Sequence, residues 1–128
     1  MAHWSDAYMF RPYIVNQFDC GDLARLVLKE VFHRDVGIPH ARGTGPFADS
    51  ALVAKCCDEI GVRTVEPADG DAVVMIARGR LAHVGVYYTL DGVAWVLHNS
   101  REARQVVRHR VRELDGNGFK LDGFYKWK

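Results

Sequence analysis

Two hydrophobic periods divide the chain. From Leu23 the apolar residues fall at Leu23, Leu26, Val27 and Val31, the spacing of one helix face. This predicts a helix from about Cys20 to His33. A second helical stretch starts near Asp49 or Ser50, shows Leu52, Val53, Cys56, Cys57 and Ile60, and stops at Gly61, a C-terminal glycine signal. After Gly61 the period becomes two. Val62 to Val65 suits a short strand or connector. Ala72 to Ala77, Leu81 to Thr89 and Val93 to Asn99 read as strands, the last two joined at Asp91-Gly92, a strong hairpin signal. Val107, His109 and Val111 alternate with Arg108, Arg110 and Arg112 as a further strand, and Phe119 to Trp127 supplies an aromatic one. Upstream, Asp6 to Phe10 suits a short helical turn ended by Pro12. Val36 to Phe47, rich in glycine and proline, reads as a loop. Helices followed by short antiparallel strands predict an α+β fold, with N-terminal helices packed on a curved antiparallel sheet of about five to six strands.

Composition narrows the class. The 128 residues suit one domain, 1–128, and 48% apolar with 26% charged residues is globular. A net charge of +1 gives no overall pull toward nucleic acid. Arg101, Arg104, Arg108, Arg110 and Arg112 make a basic strip. Its alternation with apolar residues is that of a solvated strand face, so no nucleic-acid partner is expected. No apolar run is long enough to span a bilayer, so no membrane insertion is expected. Met1 to Asp6 lacks the basic-then-apolar form of a signal peptide. Of three cysteines, Cys56 and Cys57 are adjacent, which suits reduced thiols and synthesis in the cytoplasm. No Cys or His stands at a chelating interval from them, so core packing is expected there, with no metal and no cofactor.

The chemistry gathers at Phe18-Asp19-Cys20-Gly21-Asp22. Asp19 is an N-cap residue type, which puts Cys20 at a helix N-terminus. Backbone N–H groups and the positive end of the helix dipole stabilise a thiolate there, and can donate to an oxyanion forming beside it. Cys20 is therefore the expected activated thiol. A base must come from elsewhere. With Asp91-Gly92 as a two-residue loop, Leu90 faces Val93, Gly85 faces His98 and His83 faces Ser100. His83 and His98 then form a diagonal pair on one sheet face, ~7–8 Å apart at the backbone. A four-residue loop sets them directly opposite each other; a three-residue loop or a bulge separates them onto opposite faces. Gly85 leaves room for close approach to the sheet. One imidazole can take the thiol proton and the other orient it. His3, His33, His40 and His109 have no such arrangement and read as surface residues.

At three segments the chain resembles the NlpC-type, papain-like cysteine peptidases, thiol proteases that degrade cell wall by cutting peptidoglycan stem peptides. Phe18-Asp19-Cys20-Gly21-Asp22-Leu23-Ala24 is similar to the nucleophile motif. Gly70-Asp71-Ala72-Val73-Val74 with Ala82-His83-Val84-Gly85-Val86-Tyr87 is similar to the strands that lead to the base. Val96-Leu97-His98-Asn99-Ser100 is similar to the strand of the third catalytic residue. The resemblance implies Cys20 as nucleophile, His83 as base, His98 as orienting residue and a thioester acyl-enzyme. It implies that Tyr13 helps bind the oxyanion, with Gln17 the alternative for that role or a solvated loop residue. Asp19 matches an aspartate that contacts a substrate's free amine, and equally suits a plain helix cap. Gly21 and Asp22 stand where serine and glycine are usual. These positions border the substrate pocket, so the chemistry follows more directly than the substrate. Single-domain members of this kind resemble phage tail and prophage modules, which implies tail proteins as partners and action on the wall by a route other than secretion. The competing readings are an amidase or acyltransferase on a non-wall substrate, and a catalytically silent structural or binding module.

Overall fold

The computed structural model describes residues 3–15, 17–36, 60–77 and 81–128. Six strands form one antiparallel sheet. They are β1 (Gly61–Thr64), β2 (Ala72–Ala77), β3 (Leu81–Leu90), β4 (Val93–Ser100), β5 (Gln105–Arg110) and β6 (Phe119–Trp127), in the spatial order β1-β6-β2-β3-β4-β5. The β3–β4 hairpin turns through Asp91 (φ 53) and Gly92 (φ 78), the paired positive angles of a two-residue loop that matches strand twist. Leu90 accordingly pairs with Val93 and Val86 with Leu97. On the other edge of β3, near the same end, Gly70 N–H donates to the Tyr87 carbonyl, and Tyr87 N–H to that of Asp71, both at 2.8 Å. The Asp71 carboxylate takes the Ala68 N–H and the Lys126 ammonium. The Gly-Asp pair thus locks the entry of β2 to β3 and β6.

Alternation along the strands gives the sheet two apolar faces. Val74, Val84, Val86, Tyr88 and Leu97 pack with Leu23, Ala24, Val27 and Leu28 of the helix α1 (Cys20–Glu30). Val73, Met75, Tyr87 and Val96 pack on the opposite face with Leu114 and Phe119. Short 3-10 turns at Val111–Glu113 and Asp115–Asn117 follow β5. They take up Val111 and Arg112, which the alternation had placed in a strand.

The expectation of an α+β, papain-like NlpC-type fold with N-terminal helices packed on the sheet is corrected. The protein is a small β-rich fold, and among the described residues α1 is its one α-helix. The segment before α1 shows why. Its helical content is a single 3-10 turn, Trp4–Ala7. Beyond it the backbone serves β5: Phe10 N–H donates to Val106 O, Val106 N–H to Arg11 O and Tyr13 N–H to Arg104 O. Arg11 precedes Pro12 and is therefore biased toward extended backbone. Trp4, Tyr8 and Met9 still reach the helix-side core, but from a strap rather than a helix. The helix α1 stops three residues short of the expected His33. His33 itself adopts φ 56, and Arg34 N–H returns to the Leu28 carbonyl at 2.9 Å, a left-handed C-terminal closure. The second helix, most of the Val36–Phe47 loop, Cys56 and Cys57 fall on residues 37–59, outside the described residues.

Gly85 carries a steric prediction. A Cβ there would meet Val96 Cγ2 at 2.5 Å and Leu97 O at 2.9 Å, so β4 itself takes the room that Gly85 leaves. Gly85→Ala should destabilise the protein by about 1–3 kcal/mol, the usual cost of overpacking. Gly116→Ala, where a Cβ meets nothing within 4 Å, should stay within about 0.5 kcal/mol. Urea denaturation of both variants measures this, and equal midpoints would refute it.

Candidate active site

The β3–β4 register places Gly85 next in line with His98, and β2 sets Met75 opposite His83. His83 and His98 therefore share the face away from α1. His83 Nε2 lies 2.8 Å from His98 Nδ1, with the rings edge to face. Phe119 stacks on His83 and meets His98 edge-on. His98 is completely buried and His83 nearly so. Burial pushes His83 down from 6.5 to about 4. His98 is held well below its ordinary value by burial first, then by the neighbouring rings of His83 and His109. Both are neutral bases at pH 7. Among the described residues no hydrogen bond reaches His83 Nδ1, so that nitrogen is the one left for a substrate-side proton.

His109 is a correction. Its Nδ1 lies 2.9 Å from His98 Nε2, and it is half-buried rather than a surface residue. Burial lowers it, opposed by the Glu113 carboxylate. The signal was present in the sequence. His109 alternates in β5 with Val107 on the side opposite Arg108 and Arg110, and β5 pairs Val107 with His98.

Cys20 opens α1 under a reciprocal cap. Asp19 Oδ1 accepts from Asp22 N–H at 3.1 Å, and Asp22 Oδ2 accepts from Asp19 N–H at 3.0 Å. Asp22 also pairs with Arg25. Asp19 thus fills the helix-cap role open to it. Tyr13 is half-buried beside this end of the helix. Burial raises its hydroxyl, and the negative charges of Cys20 and Asp19 raise it further, against the pull of Arg101. A hydroxyl held protonated is the donor an oxyanion needs. Gln17 is exposed on the turn after Ile14, and among the described residues no hydrogen bond joins its side chain to Cys20, His83 or His98.

The site therefore comes in two halves. Cys20, half-buried, packs with the helix-side core; the histidines lie across the sheet, and among the described residues no hydrogen bond joins the thiol to His83 or His98. Asn99 links the halves. It follows His98 in β4, and its Nδ2 donates to the carbonyls of Phe18 at 2.8 Å and Asp19 at 3.4 Å, the two residues before Cys20. Its Oδ1 is buried, and among the described residues it has no partner. In the sequence Asn99 stands out only as the neighbour of His98; its neighbours in space need the fold. The pairing of β3 with β4 stops at Val86–Leu97, so the two strands end their ladder just before His83 and Asn99. Among the described residues no cluster of His, Cys, Asp and Glu could hold a metal ion, and no helix is long and apolar enough to cross a membrane. The three histidines form a chain, and their nitrogens do not converge on one point. Compared with family models, curated proteins and solved structures, the chain finds no match.

Proposed function

We propose that this chain is a cysteine-dependent amide hydrolase whose substrate is a peptidoglycan stem peptide. The observation that carries the reading is the 2.8 Å contact from His83 Nε2 to His98 Nδ1. It orients a neutral imidazole and leaves Nδ1 without a hydrogen-bond partner among the described residues, the position a general base needs. The Cys20 motif, the Gly70-Asp71 and His83-Val84-Gly85-Val86-Tyr87 segments and Tyr13 support the substrate class by resemblance of sequence, independently of the fold.

In the proposed reaction the Cys20 sulfur attacks the amide carbonyl while its proton passes to His83 Nδ1. Tyr13 O–H and the N–H groups at the start of α1 hold the oxyanion. His83 returns the proton to the leaving amine as the C–N bond breaks, leaving a thioester. Water, deprotonated by the same nitrogen, then releases the acid and restores the thiol. Cys20 and His83 belong to opposite faces of the sheet, so this transfer requires the thiol to reach Nδ1 past the end of the β3–β4 ladder, which stops at Val86–Leu97. Asn99 keeps the segment before Cys20 beside the strand that carries His98.

One observation favours a second reading. His83 stacked under Phe119, on the face away from α1, suits a packed core histidine in a catalytically silent structural or binding module. Incubation with defined muropeptides and mass spectrometry of the products separates the two. Under the hydrolase reading the products together carry one water more than the muropeptide, added across an amide bond, and Cys20→Ala abolishes them. No cleavage, or cleavage that survives Cys20→Ala, overturns the hydrolase reading.

A further inference from the structure

Three imidazoles in line constrain one another's protons. Each contact between ring nitrogens needs one donor and one acceptor. Three neutral rings carry three N–H protons, and two of them fill the contacts His83–His98 and His98–His109. The third must sit at an end of the chain, on His83 Nδ1 or on His109 Nε2. If it sits on His109 Nε2, then His98 Nε2–H donates to His109 Nδ1, His83 Nε2–H donates to His98 Nδ1, and His83 Nδ1 is bare. If it sits on His83, every proton reverses and the base is lost. The ring that decides the tautomer of His83 is therefore two residues removed from the thiol.

We propose that His109 is the outer member of a three-imidazole relay, which fixes the basic tautomer of His83 and takes the positive charge when the thiol proton arrives. The inference rests on the hydrolase reading and adds a positioning residue to it. The proton balance is complete. A proton arriving at His83 Nδ1 makes an imidazolium. The His83 Nε2 proton moves to His98 Nδ1, and the His98 Nε2 proton moves to His109 Nδ1. His83 and His98 are neutral again, and His109 now carries both protons. The charge has moved from a nearly buried ring past a fully buried one to a half-exposed ring. A charge costs less there because water reaches it. The groups around the relay agree with that direction. β2 offers Met75 and β6 offers Phe119, both apolar, whereas the Glu113 carboxylate after β5 favours the charged form of His109. Arg110 on β5 is engaged with Glu113 at 3.6 Å and stacks over Trp95.

The test reads imidazole nitrogen shifts by NMR in the full chain at pH 7, with Cys20→Ala as background so that no chemistry intervenes. The expected result is a proton on Nε2 and a bare Nδ1 in His83, His98 and His109 alike. His109→Phe removes the acceptor for His98 Nε2–H, so His98 should switch to the Nδ1–H tautomer and drive His83 to carry its proton on Nδ1. His109→Gln offers a carbonyl in place of Nδ1 and should keep the original tautomers. In the active chain, His109→Phe should lower kcat about 10–100-fold with KM little changed, below the ~10²–10⁴ cost of losing a general base. His109→Gln should recover most of it. A His83 proton on Nδ1 in the unsubstituted ring set, or unchanged tautomers in a folded His109→Phe, overturns the relay. The first of these needs no substitution among the three rings. Tautomers as expected together with no muropeptide cleavage would overturn the hydrolase reading alone.

Discussion

Replacing His83 by alanine should lower muropeptide turnover by about 10²–10⁴-fold, the range that a positioned general base contributes. The reason is local. His83 Nε2 is engaged with His98, so in the proposed reaction proton transfer depends on Nδ1. His98→Ala should behave differently. It leaves the proton acceptor in place but removes what orients it, so residual activity should be measurable. His98→Gln or His98→Asn should exceed His98→Ala, since an amide carbonyl can still accept from the His83 ring N–H. Because His98 is wholly buried between two rings, its truncation also leaves His83 Nε2 and His109 Nδ1 without their partner. His98→Ala should therefore lose stability as well, by about 1–3 kcal/mol for an unsatisfied buried group. Turnover is compared only after thermal denaturation shows each variant folded at the assay temperature. Full activity in a folded His83→Ala would remove His83 as the base.

Most strand positions, and the pairing of β3 with β4, were legible because period-two alternation and a two-residue loop fix register without reference to anything distant. Asp91-Gly92 alone sets Val86 against Leu97 and brings His83 and His98 to one face. The helix layer was not legible in the same way. Trp4, Tyr8 and Met9 have a composition that a helix or a strap can bury equally well, and the choice depends on backbone bonds to Val106 and Arg104, about a hundred residues away. His109 shows the same limit. Its face could be read from the alternation in β5, but its partner depends on which strand lies beside β5. A ring judged by its own segment reads as surface; judged across the ladder it is the neighbour of His98. The placement of Cys20 at a capped helix start was local and could be read directly. Which face of the sheet that helix covers was not, because it follows from whether Val84, Val86 and Tyr88 or His83 and Tyr87 meet Leu23 and Val27.

Between pH 6.5 and about 4 the protein should lose stability steeply. His83 is neutral in the folded state down to about 4, whereas the unfolded chain takes up a proton near 6.5. In that window the unfolded state binds more protons, so stability falls as pH falls. At ~1.4 kcal/mol per unit, this one ring accounts for about 3 kcal/mol, a large share of the 5–15 kcal/mol typical of a small domain. His98 is displaced in the same direction and steepens the loss; His109 adds less, because Glu113 opposes its burial. Above 6.5 all three are neutral in both states, and their contribution is fully present. Carboxylates act elsewhere on the scale. Asp6, lowered chiefly by its hydrogen bond from Arg108, supports the fold above its unfolded value of 3.8 and withdraws that support below it. Urea denaturation at pH 7, 5.5 and 4.5 measures the effect, and His83→Gln, which cannot titrate, should flatten the profile by about one proton. A stability that is level from 6.5 to 4.5, or that rises toward acid, would contradict the burial of these rings. The same burial bears on the proposed reaction: as its base, a ring kept neutral down to about 4 would be available for the thiol proton throughout the neutral range, and the positive charge it received would have reason to leave it.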